Sequence, residues 1–473
     1  MDALNAVVSA INNVLWSYVL IVVLVGCGIW FTLSTRFVQL RMLPEMIRLL
    51  TEGIGHKTEG DAISSFQAFC VSTASRVGVG NIAGVAIAIV TGGPGAVFWM
   101  WAIAFLGCAT GFVESTLAQI YKLPRGNGKF HGGPAYYIKN ALRQPGVAKL
   151  FAFLISVTFG LIYVSVQANT IALSAQTAFG IAPIYSAAFL CVLTALVIFG
   201  GMSRIAKFTE FLVPIMAGIY LLTAFAIILL NIDKVPAMFA LILHDAFSPQ
   251  AAVGGGLGTA VITGVKRGLF SNEAGEGSVP NAAATADVTH PIKQGLVQAF
   301  GVYVDTWIVC SATAFIVLLT GQYTIGDELT GIALAQASLA SIFGPLAPAA
   351  VSILILLFAF SSIVGNYYYG EINIAFFEGN TRKYLLVFRA GVVIMVFFGC
   401  LAELSLVWNL ADLFMGFLCL TNLYAVIRLS KYARIALFDY VKQKKEGHEE
   451  PAFDPAILGD EHGIHAWGVD KIK

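Results

Sequence analysis

Eleven apolar runs, each near the length needed to cross a bilayer, limit what this chain can fold into. They lie at about 14–34, 64–90, 95–121, 150–179, 183–200, 208–231, 252–274, 294–320, 345–376, 384–401 and 405–429. A span needs roughly 20 apolar residues, and in hydrocarbon every backbone polar group must be satisfied within the protein. The expected fold class is therefore an all-α polytopic membrane protein with 11 transmembrane helices, its partner the lipid bilayer. Charged residues make up only 12% of the chain, against about 25% in a soluble protein. A net charge of +1 argues against a nucleic-acid partner. The runs at 64–90 and 252–274 are the least hydrophobic; Gly254-Gly-Gly256 and Lys266-Arg267 dilute the second.

Orientation follows from the basic residues, which favour cytoplasmic connections. Alternate connections carry Arg36, Arg41, Arg48 and Lys57; Lys122, Arg125, Lys129, Lys139, Arg143 and Lys149; and Arg204 and Lys207. The set continues with Lys266, Arg267 and Lys293, and then Arg382, Lys383 and Arg389. The opposite connections hold only Lys234. The N-terminus is expected outside and the C-terminus in the cytoplasm. No Lys or Arg precedes the first apolar run, so a cleaved secretory signal is not expected.

Within the second run, Ser72-Thr-Ala-Ser-Arg-Val-Gly-Val-Gly-Asn-Ile-Ala-Gly-Val-Ala86 is wrong for an unbroken lipid-facing helix. Gly78 and Gly80 weaken the helix by roughly 1 kcal/mol each. Arg76 and Asn81 put a charge and an amide where hydrocarbon penalises both. One reading is a discontinuous helix, its free N–H groups facing an anion and its free carbonyls a cation. The other is a close helix–helix contact through small residues. An internal echo favours the first. Gly78-Val-Gly-Asn-Ile-Ala-Gly-Val-Ala86 and Gly275-Glu-Gly-Ser-Val-Pro-Asn-Ala-Ala283 both place G-x-G near one end of a weak span. The spans then form two groups of five, and an odd number of crossings inverts the second group. Paired broken segments at matching places in two inverted halves point to a transporter binding site.

Other motifs carry less chemistry. The seven cysteines fall singly in apolar runs without CxxC, as small buried hydrophobes do. No H-E-x-x-H, G-x-S-x-G or nucleotide-binding G-x-x-x-x-G-K-[ST] occurs in the spans, so neither an intramembrane enzyme nor ATP as energy source is expected. A cation channel using the G-x-G backbone as filter is the alternative function. Filters recur around a symmetric pore, whereas these two segments differ. Residues 126–140 read as a turn and a short interfacial helix, and 435–473 as a solvated tail. Arg76 reads as a buried ion-pair partner of Glu114 or Asp305, and Tyr367-Tyr-Tyr369 as interfacial packing. Glu371 and Glu403 read as facing water.

Several segments together resemble the alanine or glycine:cation symporters, also called the sodium:alanine symporter family. The most specific is Gly92-Gly-Pro-Gly-Ala-Val-Phe-Trp-Met-Trp101. It is joined by Val77-Gly-Val-Gly-Asn-Ile-Ala-Gly84, Val166-Gln-Ala-Asn169, Gly268-Leu-Phe-Ser-Asn-Glu-Ala-Gly275 and Phe358-Ala-Phe-Ser-Ser-Ile-Val364. The resemblance implies a leucine-transporter-like fold: an extra N-terminal helix (1–61 with its cytoplasmic connection), inverted five-helix repeats at 62–231 and 252–430, an external connection at 232–251, and a cytoplasmic tail at 431–473. It implies Na⁺- or H⁺-coupled uptake of small neutral amino acids across a bacterial-type plasma membrane, without a resident cofactor.

The resemblance also implies site residues. Backbone N–H groups of Gly78, Val79 and Gly80 would hold the substrate carboxylate, with Asn81 beside them and Gln167 approaching from the side. Asn272, Gly275 and Glu276 would belong to the second broken helix. Sodium would sit among carbonyls of Ala74, Val77 and Phe358 and hydroxyls of Ser361 and Ser362, the last also beside the substrate. Two positions depart from the alanine-carrier pattern. Glu276 stands where an apolar residue, often Met, is common, and Asn366 where a Trp often closes the pocket. Both make the pocket more polar.

Overall fold

The structure, a computed structural model, describes residues 2–53, 62–126, 128–199, 202–248, 258–377, 381–459 and 462–467, with 2–3 and 202–213 as backbone alone. Lys57, Gly254–Gly256 and the Arg204 and Lys207 side chains lie outside the described residues. In chain order the principal helices are α1 (Leu4–Ser34), α2 (Ser65–Arg76), α3 (Gly80–Gly92), α4 (Gly95–Ile120), α5 (Pro145–Phe179), α6 (Pro183–Ile198) and α7 (Met202–Leu230). They continue as α8 (Val235–Ala246), α9 (Thr259–Asn272), α10 (Pro291–Thr320), α11 (Gly331–Phe343), α12 (Ala347–Ile374), α13 (Thr381–Leu401) and α14 (Leu404–Lys445). Seven of these are long and apolar enough to cross a membrane. Two bent pairs, α2 with α3 at 51° and α7 with α8 at 79°, raise the number to nine among the described residues. The chain is a helical membrane protein.

Local signals set the helix ends. Ser64 and Gln67 cap α2 reciprocally, each side chain bonding the other's backbone N–H at 3.1 Å. Proline opens α5, α6 and α10, where its missing N–H costs nothing. Gly180 and Gly321 end α5 and α10 in the left-handed conformation. Among the described residues four π-helical turns interrupt or open apolar helices: Leu15–Leu20, Gly80–Gly84, Thr158–Tyr163 and Tyr303–Cys310. Three of them deliver site residues, as such turns often do.

At the centre α9 crosses α4 closely. A methyl at Gly264 or Gly268 would run into Ala96 and Trp99, or into Met100 and Ile103, of α4. Without a hydrophobic driving force between helices, such close van der Waals packing is what membrane association relies on. The Gly92–Trp101 motif serves the same assembly. Gly95 N–H donates to Asp245 Oδ2 at 2.7 Å and Trp99 Nε1–H to Ala246 O at 3.2 Å, fastening α8 over the start of α4.

Several sequence expectations are corrected. Lys266 and Arg267 are not in a cytoplasmic connection; they lie inside α9. Arg267 is buried, ion-paired with Asp412 of α14 and 4.5 Å from the Trp408 ring centroid; Lys266 Nζ is 3.7 Å from Asp412. Their charges diluted the hydropathy and so looked like a loop, but a carboxylate and an indole face on another helix compensate them. Tyr367, Tyr368 and Tyr369 are buried, with Tyr367 stacked on Phe388, so they are core and not interfacial. Glu371 pairs with Arg389 at 3.1 Å. The connection at 232–251 contains α8, and α11 was not anticipated as an apolar helix. Residues 123–140 form a small hairpin, Leu123–Pro124 with Phe130–His131, and a largely buried helix, Pro134–Asn140. The described part of the polar C-terminal segment is docked on the helical body through Phe453 and Trp467, and is not solvated along its length.

Candidate functional site

The first break begins where α2 runs out of partners. Its last helical bond is Val77 N–H to Thr73 O at 2.8 Å, and Val77 itself is extended. Gly78 N–H donates to Asn81 Oδ1 at 2.8 Å and not to Ala74 O, and Val79 N–H donates to Gln167 Oε1 at 3.2 Å. Ala74 O is left for another donor. Ser362 Oγ, from α12, lies 3.0 Å from Ala74 O, 3.1 Å from Phe358 O and 3.5 Å from Val77 O. One hydroxyl hydrogen serves only one of them at a time, so carbonyl lone pairs from two helices remain directed at this spot. Ser361 Oγ bonds Phe358 O at 2.8 Å within α12. Neutral oxygens supplied by an unwound helix and a serine suit a hard monovalent cation.

The second break is built from different groups. Glu273 closes α9 at φ 58°, and Gly275 and Gly277 follow at φ 99° and 78°. Asn272 Oδ1 accepts Ala274 N–H at 3.0 Å. Gly275 N–H donates to Glu114 Oε1 of α4 at 3.0 Å. Asn422 of α14 completes that corner, its Nδ2 donating to Glu114 Oε2 at 2.7 Å and to Gly275 O at 2.9 Å. Glu276 Oε2 accepts the Tyr163 hydroxyl at 3.0 Å, while its Oε1 has no hydrogen-bond partner.

Polar side chains tie the two breaks together. Asn81 Nδ2 reaches Ser271 Oγ at 2.9 Å and Asp305 Oδ1 at 2.6 Å. Asp305 Oδ2 accepts from Ser271 at 2.7 Å and Thr306 at 2.9 Å, and Asn272 Nδ2 donates to Thr306 Oγ1 at 3.1 Å. Ser75 Oγ lies 2.7 Å from both Glu273 Oε1 and Asn366 Oδ1. The Asn366 amide nitrogen has no partner. At Gly80 the halves touch directly, since a Cβ there would lie 3.0 Å from Phe270 and 3.2 Å from Ser271. The side chains Asn81, Gln167, Asn272, Glu276, Ser361, Ser362 and Asn366 are all 3% exposed or less, so the site is closed to both sides.

Arg76, at the end of α2, is buried and donates to Gln298 O at 3.1 Å; its Nε and Nη2 have no partner. No ion pair to Glu114 or Asp305 forms. Those two carboxylates, with Glu273 and Glu276, instead share its field at longer range.

A broken helix whose freed carbonyls meet a serine from another helix, opposite a second broken helix, is the arrangement of a cation-coupled carrier. The sequence model of the sodium:alanine symporter family matches residues 1–455. The chain belongs to that family. It is 50% identical over 470 residues to the probable sodium/glutamine symporter GlnT of Bacillus subtilis (strain 168), covering 99% of this chain and 97% of the relative. It is 46% identical to the amino-acid carrier protein AlsT of the same organism, covering 99% and 98%. Among solved structures it is similar to a manganese transporter of Eremococcus coleocola at 12% identity and TM-score 0.49, covering 85% of this chain and 92% of that one.

In this symporter the structure gathers Ala74, Val77, Phe358, Ser361 and Ser362 in one place. It sets Gln167 against the first break. It turns Asn81 toward Asp305, where it links the breaks, and gives Asn272 to the end of α9. Sequence reasoning placed Glu273 in the second broken helix without a role and passed over Ser75, Tyr163, Ser271 and Asn422. Ser75 and Ser271 stood within quoted stretches, so their neighbours were a signal. Tyr163 and Asn422 had none, because only packing brings α5 and α14 to the second break.

Proposed function

We propose that this symporter is a secondary active carrier that couples inward Na⁺ movement, or H⁺ in its place, to uptake of a small neutral amino acid by alternating access. The observation that carries the reading is the convergence of the Ser362 hydroxyl on the carbonyls of Ala74, Val77 and Phe358. A cation there would hold the broken α2–α3 pair against α12. Its departure would let the two move apart, which is a physical basis for coupling. The substrate carboxylate would take the Gly78–Gly80 backbone N–H groups, displacing the side-chain oxygens of Asn81 and Gln167 that hold two of them in the closed site. In this reading the chain makes 11 crossings as two inverted groups of five after one extra helix, N-terminus outside and C-terminus cytoplasmic, in a bacterial-type plasma membrane. Energy comes from the ion gradient and not from ATP.

Alanine and glycine fit the backbone end of the site. The polar pair Glu276 and Asn366 supports serine or glutamine as well, in keeping with the name of the GlnT relative. The test is uptake of labelled alanine, glycine, serine and glutamine into proteoliposomes under imposed sodium or proton gradients. Gradient-driven accumulation of at least one is expected. Equilibration without accumulation under either gradient would overturn the reading.

A further inference from the structure

Helix α14 continues beyond the apolar body to Lys445, and the chain then turns back at Gly447, φ 89°. Gln443 clamps the returning strand through its side-chain amide, donating to Ala452 O at 2.8 Å and accepting Ala452 N–H at 3.0 Å. The returning segment holds the stretch that joins the second break to α10. Phe453 N–H donates to Thr289 O at 3.1 Å, and its ring lies 5.3 Å from His290. Glu450 forms an ion pair with Lys293. His290 caps α10, its Nδ1 accepting Ile292 N–H at 3.2 Å, so Nε2 carries the hydrogen directed at Asp439 of α14. Burial holds His290 below its ordinary range and neutral, as this bonding requires.

The other end of the segment grips α4. Trp467 Nε1–H donates to Gln119 O at 2.9 Å, and the indole meets the Phe453 ring edge-on with centroids 5.2 Å apart. Lys122 Nζ lies between the Trp467 and Phe130 rings, 4.6 and 4.0 Å from their centroids. Gln119 and Lys122 also hold the inner half of the second broken helix, the short helix Val279–Ala283 and the turn after it. The Gln119 amide bonds Ala283 O and Ala286 O, and Lys122 Nζ bonds Ala286 O at 2.9 Å. Glu450 and Phe453 at one end and Trp467 at the other therefore bridge the two edges that must part if 279–290 is to swing away from α4 and open the site to the cytoplasm.

We propose that this C-terminal segment is a latch on the cytoplasmic gate, holding the inner half of the second broken helix closed until it releases. The latch rests on the transport reading, and its test is independent of uptake. Ala282 is fully buried on the inner half of that helix. An Ala282→Cys reporter is exposed to a membrane-impermeant maleimide from the cytoplasmic face, with the native cysteines as background. Loosening the latch by Trp467→Ala with Phe453→Ala should speed labelling at least fivefold. Glu450→Lys, on an exposed side chain, should speed it about twofold to threefold, and adding Lys293→Glu should restore the slow rate. Equal labelling in the reporter alone and in Glu450→Lys would overturn the latch, even if the double variant fails to fold. Sodium-driven uptake by the unmodified protein reports separately on the transport reading.

Discussion

At the first break the groups turned toward the centre are neutral oxygens: carbonyls of Ala74 and Val77 and the Ser362 hydroxyl. At the second they are carboxylates: Glu273 and Glu276 within it and Glu114 beneath it. The glycines differ as well. Gly78 is needed for space, because an added Cβ would run into Ser362 Oγ and lie 3.1 Å from Gln167 Oε1. Gly275 is needed for its φ of 99°, with only ordinary contacts around it. The proposed cation site at the first break thus offers uncharged ligands, which can take up and release an ion without holding it irreversibly. The second break is instead held in shape by hydrogen bonds to carboxyl groups, which tie it to α2, α4, α5 and α14.

The largest effect expected from this difference is at Gly78. Gly78→Ala should abolish gradient-driven uptake, because the methyl occupies the point where Ser362 and Gln167 meet. Gly275→Ala should instead cost about 1–2 kcal/mol of stability through left-handed backbone strain, with uptake retained. Thermal stability in detergent and uptake in proteoliposomes, measured on both variants, separate the two. If Gly78→Ala transports normally, the first break is not the binding point.

Next in size is the pair of serines. Ser362 reaches across to α2, whereas Ser361 bonds only within its own helix. Ser362→Ala should lower apparent sodium affinity about tenfold or more, since a hydrogen bond or ligand to a charged group is worth roughly 1.5–3 kcal/mol. Ser361→Ala should lower it less, and the double variant more than either. Amino-acid affinity should fall only through linkage with the ion. Normal sodium dependence in the double variant would remove this cation site.

How much of this was legible beforehand follows from where the information lies in the chain. Gly78, Gly80 and Asn81 announce a break because two glycines and an amide are unfavourable in a lipid-facing helix, whatever surrounds them. The second break was readable as an echo of the first and through the family resemblance of residues 268–275, but not from its own composition. What escaped was set by neighbours distant in sequence. Arg267 looked like a loop residue until Asp412 and Trp408, about 140 positions on, were seen to compensate it. Arg76 looked like half of an ion pair, yet its hydrogen bond goes to the Gln298 carbonyl, and the surrounding carboxyl groups are bonded to neutral donors. The tail read as solvated because its composition is polar, although Tyr440, Phe453, Leu458 and Trp467 stand among its charges and are the residues that pack.

The carboxyl corner of the second break gives a smaller and opposite signature. Glu114 accepts from Gly275 N–H on one oxygen and Asn422 Nδ2 on the other. Glu114→Gln keeps the shape but sets an NH₂ against one of these donors. The expected loss is about 1–3 kcal/mol of stability, with apparent sodium affinity unchanged within about twofold. A large fall in sodium affinity without loss of thermal stability would place Glu114 in the ion path and erase the contrast between the breaks.

The smallest effect expected is on substrate choice, and it asks whether the second break faces the side chain while the first holds the backbone. A carboxylate bound by the N–H groups of Gly78–Gly80 is common to every α-amino acid, so that end cannot discriminate. Discrimination falls to the groups with unused hydrogen-bonding capacity, Glu276 Oε1 and the Asn366 amide nitrogen. An apolar side chain leaves both unsatisfied, at about 1–3 kcal/mol each, whereas a hydroxyl or carboxamide can meet them. Glu276→Met should therefore weaken competition by serine and glutamine several-fold and leave alanine and glycine nearly unchanged. Asn366→Trp should narrow the range toward glycine and alanine by filling the space. The measurement is a competition panel of unlabelled amino acids against the unmodified carrier and both variants. One shared selectivity profile for all three would mean that neither residue lines the pocket, and that the second break shapes the gate without reading the substrate.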